Sequence, residues 1–456
     1  MYRKQDLQYL QDIFDRSSND IAVLYGKTSS GLSEILSDFI KDKECLYYWA
    51  SAVNDSLQRQ LFAGELHEQT RSPIFPTDDY DKLINTYLNE KTDRKKLIVF
   101  DDFDFLVKDN KTFVNFLAGL LFGHSNPGIC MILLVSANIR WVENDMVKTL
   151  GRKSSEISGV IKLNEYTPTE FYECFPGMPL AEAMGIYALI GGKCHYFDKI
   201  TADTTMKSFI NMRLERWADI DNDPYLYLPK EIREPSLYNT ILVNIAAGNG
   251  KLNDLHTATG MDRGKLSVYI KTLIEHGIVS KVVSADIGKG TETQKGMYRI
   301  EDRMIRFYYR HVFPHLSSLR ILGPERFYRK FIEHGIVPFM EEVYPLYCME
   351  HVKWLRDNNR LTFKVASVEE YHDKNGYIDF VVIAAGGSVI ACSCRYAPPH
   401  MSYAVIDKIK ATVRKDKILC DNIWLFSASG FDQKLSMYGS VTPGINLIDG
   451  EAQRLH

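Results

Sequence analysis

Residues 23–37 read VLYGKTSSGLSEILS. An apolar strand runs into Gly26, four residues follow (Lys27, Thr28, Ser29 and Ser30), and a second glycine, Gly31, precedes Leu32 and Ser33. This is the frame of a phosphate-cradling loop, in which backbone N–H groups and a helix N-terminus hold the anion. Gly26 and Gly31 supply the tight backbone, and Ser33 stands where a Mg2+-binding hydroxyl belongs. The frame asks for lysine after the second glycine, and Leu32 takes that place. One charge pair at about 4 Å and an effective dielectric of about 20 is worth roughly 4 kcal/mol before desolvation. Its loss weakens phosphate binding and removes charge stabilisation from a transition state. Lys27 either swings in from the other side of the loop or is a surface lysine.

Working outward, residues 1–166 alternate apolar runs with stretches of helical spacing. The runs are IAVLY (21–25), CLYYWAS (45–51), LIVFDD (97–102), CMILLVSA (130–137) and VIKLNEY (160–166). This rhythm predicts a parallel sheet with strands buried on both faces, whose ligands bind beyond the carboxyl ends. LIVFDD places Asp101 to hold Mg2+ through water and Asp102 where a water-activating carboxylate stands, one methylene shorter than the usual glutamate. Ser136 ends the next strand, a place for a polar sensor of a γ-phosphate. Each signal alone arises by chance; their order on consecutive strands gives them weight.

Four further segments follow. Residues 167–234 read as a helical lid subdomain. Residues 235–300 read as three short helices and a hairpin, a winged helix. Its third helix, in MDRGKLSVYIKTLIEHG (261–277), turns Leu266, Ile270 and Leu273 inward and Arg263, Lys265, Ser267 and Lys271 outward, with Lys289 in the wing. Such a face either reads DNA or packs as a lid within the molecule. Residues 301–330 form a helical joiner whose aromatic run, RFYYRHVFPH (306–315), packs between domains or stacks bases. Residues 331–456 form a small α/β domain with a central hairpin. Lys408, Lys410, Arg414, Lys415 and Lys417 on one of its helices read as a solvated face.

The totals exclude some classes. The chain has 456 residues, 45% hydrophobic and 25% charged, with a formal net charge of −3. It is therefore not a whole-molecule electrostatic binder of nucleic acid, and any DNA contact comes from a local patch. No signal-peptide core or bilayer-length apolar run is present, which predicts a cytoplasmic protein with no membrane partner. The eight cysteines include no CxxC pair and read as reduced thiols.

These pieces together resemble the archaeal-type P-loop ATPase family, a branch near the STAND and AAA+ ATPases. The resemblance is carried by VLYGKTSSGLS, LIVFDDFDFL, LIGGKCHYF, REPSLYNTILVNIAAG, YRIEDRMIRFYYRHV, YIDFVVIAAGGSVIACSCRY and LFSASGF. It implies an α/β ATPase domain of the P-loop NTPase type, a helical subdomain, a winged helix and a C-terminal domain resembling PD-(D/E)xK nucleases (restriction-endonuclease-like). It also implies ATP or ADP with Mg2+ as ligands. Arg152, in TLGRKS, matches a family Gly-Arg that by analogy touches the γ-phosphate of a neighbour in a homo-oligomer; otherwise it is a surface arginine. The departures fall at chemical positions. Leu32 replaces the lysine, and Cys194 replaces the proline of a GGxPxYL stretch. In the C-terminal domain Asp379 matches the first nuclease acid and Glu341 or Glu342 the helical one. The family's Glu-Cys-Lys reads Ser393, Cys394 and Arg395; serine is a poor Mg2+ ligand, and arginine keeps its proton. The expectation is a nucleotide-responsive or scaffolding module with weak or lost hydrolysis and no nuclease activity, binding DNA or a protein partner. The alternatives are an active ATPase using Lys27 and Asp102, and a DNA-binding regulator with an inert ATPase fold.

Overall fold

The computed structural model describes residues 3–70, 79–88, 94–107, 113, 130–219, 228, 233–285, 296–372 and 377–449. The chain divides into two compact units: Met1–Tyr166 with Lys193–Asp198, and Thr167–Gly192 with Lys199–His456.

In the first unit, five strands form one parallel sheet: β1 (Asp20–Gly26), β2 (Glu44–Trp49), β3 (Lys96–Asp101), β4 (Cys130–Ser136) and β5 (Ile157–Leu163), in the order β2-β3-β4-β1-β5. Every residue of β1 and β4 is buried, because both faces of the sheet are covered. Alternation along β1 sends Ile21, Val23 and Tyr25 into one apolar layer and Ala22 and Leu24 into the other. The second layer also takes Leu10 and Ile13 of helix α1 (Lys4–Phe14) and Ile35, Leu36 and Phe39 of helix α2 (Leu32–Ile40). Strand β1, flanked by β4 and β5, feeds α2 through a glycine loop, and the strand bearing Asp101 lies two places away. This is the P-loop NTPase fold.

The second unit contains the winged helix: α3 (Pro235–Ala246), α4 (Leu252–Thr259), α5 (Arg263–Glu275), then the antiparallel pair β6 (Val279–Val282) and β7 (Met297–Ile300). Helix α6 (Arg303–Phe307) is capped by Asp302, whose carboxylate accepts from the N–H groups of Met304 (2.9 Å) and Ile305 (3.0 Å). It continues into a wide turn of π-helix geometry at Tyr308–Val312. Phe307, Tyr308, Tyr309 and Val312 are buried within this unit. Long helix α7 (Ile336–Asp357) leads to a mixed sheet of β8 (Val365–Glu370), β9 (Phe380–Ala384), β10 (Val389–Arg395), β11 (Cys420–Ser427) and β12 (Ile445–Asp449), in the order β12-β11-β10-β9-β8. The expected hairpin is β9–β10; β8 adds an edge strand beyond it. Helix α8 (Ala404–Asp416) carries the basic stretch, burying Ile406 and Ile409 and exposing Lys408, Arg414 and Lys415. Among the described residues, no helix is long and apolar enough to cross a membrane.

Candidate nucleotide site

The loop after β1 has the backbone its glycines suggest. A Cβ on Gly26 would lie 2.4 Å from the carbonyl oxygen of Leu163 and 2.8 Å from Ser30 Oγ, so no side chain fits. Thr28–Ser30 make one tight turn, in which the Ser30 N–H and hydroxyl both donate to the Lys27 carbonyl, at 2.9 and 2.6 Å. Gly31 has φ 93°, a left-handed conformation, and α2 starts at the next residue. The loop thus ends on the N-terminus of a nine-residue helix. Ser33 is exposed on its first turn.

Leu32 is 6% exposed and belongs to the apolar layer with Leu24, Ile35 and Val135. The position is not merely neutral; it serves the core. Lys27 is exposed and pairs with Glu165 at 3.5 Å, and the same carboxylate accepts from Ser29 Oγ at 2.9 Å. A pair this exposed is worth under about 1 kcal/mol, so an arriving phosphate competes for Lys27 at small cost.

Three residues roof the loop. A Cβ on Gly31 would lie 3.6 Å from both Cys194 Sγ and Tyr166 Oη, so the LIGGKCHYF stretch does return to the glycine loop. Burial first, then Glu34, whose Oε1 accepts from the thiol at 3.5 Å, pushes the Cys194 pKa up to about 12. The third, Arg3, had no sequence signal. Its guanidinium donates to the carbonyls of Ser30 (2.9 Å) and Asn164, and lies 4.0 Å from the centre of the Tyr166 ring. A single arginine in a polar stretch gives no hint of a partner this distant in sequence.

The acids lie at the carboxyl edge of the sheet, level with the loop. Tyr25 of β1 pairs with Ser136 of β4, Phe100 of β3 with Leu134, and Trp49 of β2 with Asp101. Both Asp101 and Asp102 are held by donors from β2. Tyr47 Oη donates to Asp101 Oδ2 (2.7 Å), and the Asp102 N–H to Asp101 Oδ1 (3.0 Å). Burial raises the Asp101 pKa against the lowering effect of the Tyr47 hydrogen bond. Trp49, 66% exposed, donates its indole N–H to Asp102 Oδ2 at 2.7 Å. Asp102 has φ 51°, a conformation non-glycine residues rarely adopt. Ser136 is fully buried and gives its hydroxyl to Asp104 Oδ1 (2.7 Å) while accepting from the Asn138 N–H (3.0 Å). Asp104, the third acid of DDFD, also accepts from Asn138 Nδ2 (3.2 Å); it has no signal of its own in the sequence, because the first two acids fill the motif. Arg152 is exposed in the turn Gly151–Glu156 that feeds the amino end of β5. About 20 Å of strand separates that edge from the loop.

In the C-terminal unit the acids expected at a nuclease site meet backbone N–H groups and an arginine. Asp379 Oδ2 accepts from the Cys394 N–H (2.7 Å). Glu341 accepts from the N–H groups of Tyr396 (3.0 Å) and Ala397 (2.9 Å), fixing the chain as it leaves β10. Glu342 pairs with Arg310 at 2.6 Å. Ser393 is buried, and Arg395 Nε donates to the Ala397 carbonyl at 3.2 Å. Among the described residues, no group of three or more His, Cys, Asp or Glu could hold a metal ion.

On the winged helix, Leu266, Ile270 and Leu273 of α5 are buried, and Arg263, Lys265, Ser267, Val268 and Lys271 are exposed. Asp262 caps the helix through the N–H groups of Gly264 and Lys265, and Lys271 pairs with Glu275 at 3.7 Å. Lys289 lies outside the described residues. The base of the wing is stitched to β8: the Ala285 N–H donates to the Glu370 carbonyl (2.8 Å), and Arg299 pairs with the Glu370 carboxylate (2.7 Å).

The family described as "Archaea bacterial proteins of unknown function" (DUF234) matches residues 308–408. An uncharacterized protein of Methanocaldococcus jannaschii, MJECL04, is 23% identical over 385 residues, spanning 84% of this chain and 83% of the relative. Among solved structures, the ORC2 protein of Aeropyrum pernix is 13% identical, covering 70% of this chain and 95% of its own, with a TM-score of 0.40. A Walker-type ATPase of Pyrococcus abyssi is 13% identical, covering 67% and 95%, with a TM-score of 0.39. The chain is similar to these proteins in outline, and the assignment of its fold rests on its own strand order and glycine loop.

Proposed function

We propose that this chain is a P-loop ATPase relative that keeps a nucleotide cradle and has weakened its hydrolytic chemistry, acting as a nucleotide-responsive or scaffolding module. One observation carries the reading: the loop backbone is intact, while the position of the expected lysine is packed into the core. ATP or ADP with Mg2+ fits the residues present. The N–H groups from Gly26 to Ser33 would take the phosphates, Lys27 would supply a cation, and Ser33 and Asp101 would hold the metal. Bound Mg2+ would supply charge to the phosphates. Trp49 restrains one carboxylate oxygen of Asp102, and Ser136 donates to a phosphate only after leaving Asp104. Both restraints argue for slow turnover or none. The exposed Arg152 suits contact with a second copy.

The exposed basic face of α5 supports a second reading, a DNA contact. The wing base on β8 leaves that helix to provide it. The nuclease-like sheet serves as a structural or binding module, since Asp379 and Glu341 anchor backbone.

Calorimetric titration with Mg2+–ATP and Mg2+–ADP tests the first reading. Binding is expected in the wild type and weaker by about tenfold or more in Lys27→Ala, a difference of about 1.4 kcal/mol. Absence of wild-type binding would reduce the loop to a retained scaffold.

A further inference from the structure

Four arginines lie along one line in the second unit. Arg303, Arg306 and Arg310 recur at i, i+3 and i+7 from α6 into the wide turn, a spacing that places them on one face, and Arg299 precedes them on β7. Three have carboxylate partners: Arg299 with Glu370 at 2.7 Å, Arg303 with Glu350 at 2.5 Å and Arg310 with Glu342 at 2.6 Å. Arg306 has none. It is 7% exposed, and its Nε and Nη2 make no hydrogen bond. Among the described residues it lies over the Phe339 ring, 5.6 Å from the guanidinium carbon and shared with Arg310 at 5.8 Å, and it feels the Glu342 and Glu370 carboxylates only from beyond ion-pair distance. Two neighbouring polar atoms, Arg303 Nη1 and Glu350 Oε2, are likewise buried without a hydrogen-bond partner.

We propose that this arginine row is a binding site for a phosphate oxyanion, received by Arg306. A buried guanidinium with no carboxylate at ion-pair distance and two nitrogens without hydrogen bonds is costly to keep, and a bound anion would satisfy both. The two free nitrogens identify the shape of that anion. Nε and Nη2 lie on the same edge of the guanidinium and form its side-on fork, which matches two oxygens of one oxyanion. Burial, and then the repulsion of Arg299, hold the Arg306 pKa down to about 9 against the attraction of Glu342. The outer end of the row, Arg310 with the half-exposed Glu342, gives the approach. The phosphate is either a free ion or a nucleic-acid phosphodiester, and the site does not depend on the nucleotide loop.

The test is thermal unfolding of the full chain with inorganic phosphate titrated at constant ionic strength, alongside binding of a short DNA duplex. For a free ion, phosphate raises the wild-type Tm saturably and leaves Arg306→Met unmoved. That variant, freed of an unpaired buried charge, unfolds at or above the wild-type temperature in phosphate-free buffer. Arg306→Lys keeps the charge and loses the fork, so its phosphate affinity falls by at least about tenfold. Lys27→Ala keeps the shift, which separates this site from the glycine loop. For a phosphodiester, inorganic phosphate gives no saturable shift, and DNA affinity falls in both Arg306 variants. If phosphate stabilises wild type and Arg306→Met equally, or if neither phosphate nor DNA distinguishes them, the proposal is overturned.

Discussion

Restoring the lysine that the glycine loop lacks is expected to exchange stability for affinity. Leu32 is 6% exposed in an apolar layer, and burying a leucine side chain contributes about 1.5–3 kcal/mol. Lysine at this position loses part of that; its methylene stem keeps some contact if the ammonium reaches the loop. A net loss of about 1–2 kcal/mol is therefore expected for Leu32→Lys without nucleotide. In a unit of this size each kcal/mol moves Tm by about 2–4 °C, giving a fall of roughly 2–8 °C. With Mg2+–ATP the new ammonium gains a phosphate partner. Even after desolvation removes most of the roughly 4 kcal/mol of raw Coulomb energy, tighter binding by about tenfold remains. Calorimetric unfolding with and without Mg2+–ATP reads both effects. A Leu32→Lys protein as stable as the wild type without nucleotide would refute the core role of Leu32. A destabilised variant that binds nucleotide no better would refute the reading of the loop as a phosphate cradle short of one charge.

Glu341→Gln weakens two charge-assisted anchors on the chain leaving β10 and is expected to cost about 2 kcal/mol in chemical denaturation, with no Mg2+-dependent shift in the wild type. A wild type stabilised by Mg2+ through Glu341 would instead favour a surviving metal site. Burial pushes the Glu370 carboxyl up, but the hydrogen bond and charge of Arg299 outweigh it and leave the pKa below its ordinary 4.5. Its folded pKa is thus the depressed one, so the stability it adds is complete above about pH 4.5 and fades as pH falls through the lower folded value. Glu370→Gln should flatten that part of the stability–pH curve; an unchanged acid limb would contradict the Arg299 assignment. If α5 meets DNA, Arg263→Ala and Lys265→Ala each weaken binding and lower the salt slope by about one; an unchanged slope in a DNA-binding protein would move the contact elsewhere.

The first sheet was legible because its strands are buried on both faces and so read as unbroken apolar runs. Edge strand β8, VASVEE, carries no clear strand signal in the sequence. It is half-exposed, and its glutamates mask the alternation. The glycines of the loop and the missing lysine were plain, but not that Leu32 lies in the core, since one residue of an amphipathic helix start shows no direction by itself. Asp101 and Asp102 were found by type. Their capture by Tyr47 and Trp49 was not, because it depends on parallel pairing between strands some fifty residues apart. Arg3 and Asp104 share that character: each matters through a partner distant in sequence. The arginine row did leave a signal, the i, i+3, i+7 spacing inside an aromatic run, but only α7 and β8 show which of its members has no carboxylate.

The central claim, a retained cradle with its hydrolytic groups tied down, is tested most directly by measuring nucleotide binding and turnover on one preparation. Binding is followed by calorimetry, the surroundings of Trp49 by the fluorescence difference between wild type and Trp49→Phe, and turnover by phosphate release. The account expects saturable binding of Mg2+–ATP, a Trp49 signal that changes little because its bond to Asp102 persists, and no turnover above background. Steady ATP hydrolysis that disappears in Asp102→Asn, accompanied by a large Trp49 response, would contradict it.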